Sequence, residues 1–374
     1  MTETETKMRV PFADLRTQYY NLKTEMDKAI FGVIEETEFI KGKYVATFEK
    51  EFASAYNMKH CIGVANGTDA IYIVLKMLGI GEGDEVITVA NSWISTSETI
   101  TQAGAKVVFV DTEPDYYSID VSKIEEKITP RTKAIIPVHL YGQAAEVDKI
   151  KAICDKHKLF MIEDCSQAHF AQINGITIGT LGIAATFSFY PGKNLGAYGD
   201  AGAVLTNDDE LAKKVRMYAN HGALVKHQHE MEGINSRLDG LHAAVLSVKL
   251  PHIHEWNSLR LKHSLYLNEK LKNIKGLETP KIRANGKHIF HLYVVKAERR
   301  DEFQKHLKEN GIETAIHYPT TLPLLPCYKY LNQTEKDFPV SATNQKKIIS
   351  LPMFPEMSTE QLDYMVEVIR NFYS

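Results

Sequence analysis

Lys193 stands in the run Ser188-Phe189-Tyr190-Pro191-Gly192-Lys193-Asn194-Leu195-Gly196-Ala197-Tyr198-Gly199-Asp200-Ala201-Gly202. A lysine amine is a nucleophile towards carbonyl carbon. The glycines around it let a ligand come close to the backbone. Gly192-Lys193 is no Walker loop: no glycine stands five residues before Gly192, and Asn194 replaces Ser or Thr. Gly79-Ile80-Gly81-Glu82-Gly83 misses the dinucleotide-binding spacing and reads as a turn. A second segment, Glu163-Asp164-Cys165-Ser166-Gln167-Ala168-His169, holds adjoining carboxylates. Neighbours in a strand face opposite ways, so one of the two can face a given pocket. A carboxylate buried there needs a cation. In Asn66-Gly67-Thr68-Asp69-Ala70 a glycine turn opens a helix, and the Thr68 hydroxyl with the first free N–H groups suits an anion. Alone, that segment reads as a helix N-cap. Ala90-Asn91-Ser92-Trp93-Ile94-Ser95 carries one of two tryptophans. Its ring could stack on a planar ligand, or merely fill a core.

All four segments follow predicted strands. Apolar runs at 61–65, 85–89, 106–110, 133–138, 159–162 and 184–189 are apolar on successive positions. That pattern suits strands of a parallel sheet buried on both faces. Helical spacing at 69–79, 95–103 and 147–157 lies between them, so the alternation predicts a doubly wound α/β layer. The run 201–206 follows too closely for a helical crossover and reads as a neighbouring strand beyond a long functional turn. Helices are predicted at 211–220, 238–250 (stopped by Pro251), 256–272, 299–310 and 359–373, with strands at 288–295 and 314–318. Parallel sheets bind ligands at the carboxyl ends of their strands. A nucleophilic lysine, a carboxylate, an aromatic ring and an anion cradle therefore share one edge. Pyridoxal phosphate needs these parts.

With those motifs and Gly233-Ile234-Asn235-Ser236-Arg237-Leu238-Asp239, the chain resembles the DegT/DnrJ/EryC1/StrS family of sugar aminotransferases. The resemblance runs from Pro11-Phe12-Ala13-Asp14-Leu15 to the C-terminal helix. It implies fold type I, the aspartate-aminotransferase-like α/β architecture. A large, mostly parallel sheet domain (1–250) would bind pyridoxal 5'-phosphate, followed by a smaller C-terminal α/β domain (251–374). Lys193 matches the Schiff-base lysine, and Asp164 the partner of the pyridinium nitrogen. Gln167 matches the residue that bonds the ring hydroxyl, and Trp93 the stacking aromatic. Gly67, Thr68 and Ser188 match phosphate contacts. Asn235 matches a residue that reaches the neighbouring subunit's cofactor, which implies a homodimer with shared active sites. His169, Tyr190, His317 and Tyr318 fall towards the substrate. The lysine segment is similar to that of enzymes that aminate C3 of nucleotide-linked 3-keto-6-deoxy sugars, with dTDP as the expected nucleotide and L-glutamate as donor. Deoxyamino sugars of surface glycans are the implied products. A 4-keto sugar aminotransferase is the alternative, as is a dehydrase of the same family, although that branch carries His where Lys193 stands. A ligand-sensing regulator on the same fold is the rival from another class.

His227, His242 and the stretch after His317-Tyr318-Pro319 depart from the common pattern and leave the sugar open. The spacing of His221, His227, His229 and His242 fits no common zinc pattern, so no metal is expected. Arg237 reads as an ion pair with Asp239 near the dimer interface. A formal net charge of −3 gives no field for capturing nucleic acid, so anions must be held locally. Four cysteines without a C-x-x-C pair, no apolar run near 18 residues and an acidic start point to a cytoplasmic chain without membrane spans.

Overall fold

Seven strands build the main sheet of the computed structural model, which describes residues 8–374. The acidic start, residues 1–7, on which the expectation of a cytoplasmic chain partly rested, lies outside the described residues. The strands are β1 (His60–Val64), β2 (Glu85–Val89), β3 (Lys106–Val110), β4 (Thr132–Ile136), β5 (Phe160–Asp164), β6 (Ala184–Ser188) and β7 (Gly202–Thr206), in the order β1-β7-β6-β5-β4-β2-β3. Only β7 runs against its neighbours, so β1 to β6 all point the same way. Each lies within two residues of its predicted run. The reason is visible in β2, buried at all five positions. Ile87 and Val89 enter the core on one face, and Val86 enters the core on the other.

The helices Gly67–Met77, Ser95–Gln102 and Val147–His157 follow or precede these strands as the spacing predicts. The C-terminal helix, Thr359–Tyr373, starts on a capping box between Ser358 and Gln361. Pro251 does not end the helical path. It sits at the start of a short turn, Leu250–His252, between Gly240–Lys249 and Ile253–Leu271. There its missing N–H costs nothing.

A second sheet joins Leu277–Glu278, Tyr293–Ala297 and Ile348–Leu351 in that order, all antiparallel. Two expectations fail here. Residues 288–292 are not strand, because Ile289 and Leu292 donate instead to the carbonyls of Gly142 and Tyr141. Residues 314–318 give only one bridge, Ala315 to Ser350, and the third strand is Ile348–Leu351. A third apolar cluster covers this sheet and includes Val10. The helix Ile253–Leu271 connects the cores: Ile253 and Trp256 lie in the first cluster, Leu267 and Leu271 in the third. No helix among the described residues is long and apolar enough to cross a membrane.

At the carboxyl edge Val64, Gly202 and Ser188 stand abreast. A Cβ on Gly202 would lie 2.4 Å from the Asn66 carbonyl carbon and 2.8 Å from the Gly67 nitrogen. Rigid backbone fills that space, so Gly202→Ala should cost about 1–3 kcal/mol. Calorimetry should show a lowered thermal midpoint. Gly81→Ala, whose Cβ meets nothing closer than 3.5 Å, should stay within about 0.5 kcal/mol of the parent.

Candidate active site

The carboxyl ends of β1, β2, β5 and β6 open into one cavity of about 620 Å³. Strand alternation decides which carboxylate enters it. Asp164 lines the cavity, with Oδ2 accepting from the Thr96 hydroxyl at 2.8 Å and Oδ1 from the Ser166 amide at 3.2 Å. Glu163 points the other way. Its oxygens accept from the amides of Gly179, Leu181 and Gly182 at 2.6–2.9 Å, with His139 Nε2 at 3.2 Å. Burial pushes the Glu163 carboxyl up, but His139 and the amides outweigh it and hold it below the usual range.

Lys193 lines the cavity from the long turn between β6 and β7. The turn ties to itself: the Lys193 amide donates to Tyr190 O and the Ala197 amide to Phe189 O, both at 2.8 Å. From below, Lys249 Nζ donates to Gly196 O at 2.8 Å and lies 4.5 Å from the Tyr198 ring centre. Burial pushes the Lys193 amine down to about 8, against the opposing pull of Asp164. The lysine is thus unusually nucleophilic near neutral pH.

Gly67 and Thr68 open the helix Gly67–Met77 at the cavity wall, and the first turn leaves their amides without intrahelical partners. The cap is Asn66, whose side chain accepts from the Asp69 amide at 2.8 Å. Thr68 is therefore spared for other contacts, and its hydroxyl lies 2.7 Å from that of Ser95. A Cβ on Gly67 would lie 2.6 Å from the Ser188 Cβ, so glycine brings these two cavity-lining residues together. Hydroxyls, free amides and a helix N-terminus form an anion cradle.

Gln167 holds the opposite wall. Its Oε1 accepts from the Tyr141 amide, and its Nε2 donates to the Tyr318 hydroxyl, each at 2.9 Å. Burial raises the Tyr318 phenol. The Trp93 ring lies 5.8 Å from that of Tyr318 and is 57% exposed. Tyr190 lines the rim at 58% exposure. His317 borders the cavity with Nδ1 on the Ser350 hydroxyl at 2.8 Å, and burial, then Lys193, push it down to about 4.

Three expectations need correction or relocation. His169 does not reach the substrate space. It is fully buried, 5.6 Å from Phe187 and 5.7 Å from Phe189, ring to ring. Apolar packing behind the lysine turn takes the ring, and burial, then Lys193, push it down to about 3. Arg237 does not pair with Asp239: it reaches Asn220 Oδ1 at 3.5 Å, and Asp239 stands 3.8 Å from His242. Asn235 is exposed and lies outside this chain's own cavity lining. His229 Nδ1 bonds the His221 carbonyl, and His242 lies against Gly199. Thr96, Ser95, Arg260 and His291 line the cavity without having been singled out. Ser95 and Thr96 lie two and three residues after Trp93, so the strand-end rule could have found them.

The family model for the DegT/DnrJ/EryC1/StrS aminotransferase family matches residues 21–370. The chain belongs to this family. It is a pyridoxal-phosphate-dependent aminotransferase of fold type I. It is 47% identical to the pleiotropic regulatory protein of Geobacillus stearothermophilus, covering 98% of this chain and 99% of that one. It is 43% identical to the dTDP-3-amino-3,6-dideoxy-alpha-D-galactopyranose transaminase of Aneurinibacillus thermoaerophilus, covering 97% and 99%. Among solved structures, S. venezuelae DesV in complex with a ketimine intermediate matches with a TM-score of 0.95 and 39% identity, over 98% and 99% of the chains.

The donor set fits the cofactor. A depressed amine and a buried carboxylate line the cavity, and a cradle of amides and hydroxyls at Gly67, Thr68 and Ser188 lines it too. In cofactor-free protein, acylation of Lys193 followed by mass spectrometry should rise with pH through a midpoint near 8, because the neutral amine is the reactive form. Asp164→Asn removes the charge that favours the ammonium, so the midpoint should fall. A midpoint near the ordinary lysine value would show that the amine is not desolvated.

Proposed function

We propose that the enzyme moves an amino group from L-glutamate to C3 of a nucleotide-linked 3-keto-6-deoxy sugar, with dTDP as the nucleotide. The observation that carries the reading is the facing pair Lys193 and Asp164 beside the Gly67–Thr68–Ser188 cradle. The family membership and the name of the 43% relative support the sugar. Pyridoxal phosphate supplies the aldehyde that carries the amino group and the ring that takes up the electron pair.

Each residue then has one task. Gly67, Thr68 and Ser188 hold the phosphate. The Asp164 carboxylate, fixed by Thr96, keeps the proton on the pyridine nitrogen. Gln167 meets the ring hydroxyl, and Trp93 covers the ring face. Lys193 Nζ would hold the cofactor at its aldehyde carbon and, as a free amine, would carry the proton taken from the donor's α-carbon. Tyr190, His317 and Tyr318 border the space left for the sugar.

A homodimer completes the site in this reading. Phe31, Ile34, Phe39, Ile40, Leu224 and Val225 are exposed apolar residues. Ile40 bridges to Asp239, so part of this set adjoins the segment that carries Asn235. Clustered exposed apolar side chains mark association surfaces, and a second copy would bring Asn235 to the facing cradle. Four free thiols suit a cytoplasmic enzyme, and deoxyamino sugars for surface glycans are the end use we infer.

A sensor on the same fold is the second reading, favoured by the regulatory name of the 47% relative. Glutamate decides between them: an enzyme converts its bound cofactor to the amine form and releases 2-oxoglutarate, whereas a sensor does neither.

Lys193→Ala should abolish the Schiff-base absorbance; persistence of that band would sink the assignment. Asp164→Asn should keep the cofactor and lose at least about 100-fold in turnover. Incubation with dTDP-, UDP- and GDP-linked 3-keto and 4-keto sugars should give the amine at C3 of the dTDP sugar, and an amine at C4 would overturn the regiochemistry. Mixing inactive Lys193→Ala with inactive Asn235→Ala should restore activity, because one site of each mixed dimer is intact. No recovery after verified subunit exchange would refute the shared site.

A further inference from the structure

Arg260 borders the same cavity from the helix Ile253–Leu271. It is 7% exposed. Its Nη1 donates to the carbonyls of Phe290 at 3.4 Å and Met353 at 2.5 Å. Its Nε is buried without a partner. Among the described residues no carboxylate approaches the guanidinium within ion-pair distance. The acid within electrostatic reach is Glu356, which burial itself pushes up. A guanidinium stays charged, and a buried cation without a counter-ion is costly. The fold tolerates such a group where an anion arrives as ligand.

The anion can be named from the geometry. Asn257 lies one helical turn before Arg260, on the same face. Its Oδ1 accepts from Asn194 Nδ2 at 2.7 Å, and Asn194 follows Lys193. His291 also bonds Asn194, at 3.0 Å, and is held neutral by burial, so it brings no competing charge. The guanidinium thus belongs to the wall beside the lysine turn, away from the open rim at Trp93 and Tyr190. An amino donor must bring its α-carbon to Lys193 for the proton to move, and its α-carboxylate is one bond away. The diphosphate of a sugar nucleotide leads instead to a nucleoside that needs the rim.

We propose that Arg260 binds the α-carboxylate of the amino donor with its guanidinium, while the carbonyls of Phe290 and Met353 fix its Nη1. The assignment rests on the transaminase reading. It makes Arg260 a donor-specificity residue with no part in sugar binding. A planar fork donating to both carboxylate oxygens is a contact that Lys cannot reproduce.

The test uses the cofactor-loaded enzyme and follows the Schiff-base band as donor is added. L-Glutamate is compared with 4-aminobutyrate, which lacks the α-carboxylate. In Arg260→Gln the L-glutamate concentration for half conversion should rise about 10-fold or more, as for loss of a charged hydrogen bond. The preference for L-glutamate over 4-aminobutyrate should shrink by the same factor. The KM for the keto sugar nucleotide should stay within about twofold, and the starting cofactor spectrum should be unchanged. Arg260→Lys, which keeps the charge and one carbonyl anchor, should fall between the two; it carries the test if the Gln variant does not fold. Unaltered donor preference, equal losses for both donors, or a loss confined to the sugar nucleotide would each overturn the proposal. If neither L-glutamate nor any other amino acid converts the cofactor of the parent enzyme, the transaminase reading itself fails; if L-glutamate converts it and only the Arg260 result is negative, that reading stands.

Discussion

The site depends on the two-residue alternation at the end of β5. Glu163 and Asp164 are neighbours in the chain, and the pleat sends them to opposite faces. Glu163 gathers three amides of the 179–182 segment and His139. That segment leads into β6, and β6 leads into the lysine turn. Asp164, on the other face, meets Thr96 and the cavity. One carboxylate therefore ties down the segment before the strand that leads to Lys193, while its neighbour lines the cavity that Lys193 also lines. A one-residue slip of β5 would exchange the two roles and bury an unpaired charge on each side.

Around that axis the protein buries two cationic side chains, Lys249 and Arg260, and half-buries a third, Lys193. Lys193 faces Asp164 across the cavity. Lys249 lies beneath the turn with a carbonyl and an aromatic ring for company. Arg260 stands on the next wall with two carbonyls and no acid. Such groupings lower stability and persist where function needs them. Burial pushes both lysines down to about 8. For Lys193 a lower value yields a free amine. For Lys249 the charge of Glu356 opposes the loss of the proton, and the hydrogen bond to Gly196 O keeps the turn seated.

Much of this was legible in the sequence, because parallel strands buried on both faces leave an unbroken apolar signature. The cavity formed where the strand-end rule put it, and the segments around Gly67, Trp93, Asp164 and Lys193 did converge. What was not legible depends on partners distant in the chain. Residues 288–292 look like strand but spend their amides on Tyr141 and Gly142. His169 has the residue type of a site group and is claimed by Phe187 and Phe189. Arg260 sits in an unremarked amphipathic helix; only the packing of that helix against Asn194 and Met353 brings it to the cavity.

The open rim carries the remaining argument. Trp93 and Tyr190 are more than half exposed, although the stacking on a cofactor proposed for Trp93 works best where water is kept out. Among the described residues Asn235 lies off the cavity, and its segment continues past Arg237 to Asp239, against Ile40. Exposed apolar side chains at Phe39, Ile40, Leu224 and Val225 therefore stand near the residue expected to serve a neighbour. A second copy seated there would bury the apolar set and deliver Asn235 in one step. Association and completion of the site would then be a single event. Water exclusion at Trp93 would depend on protein concentration just as subunit pairing does.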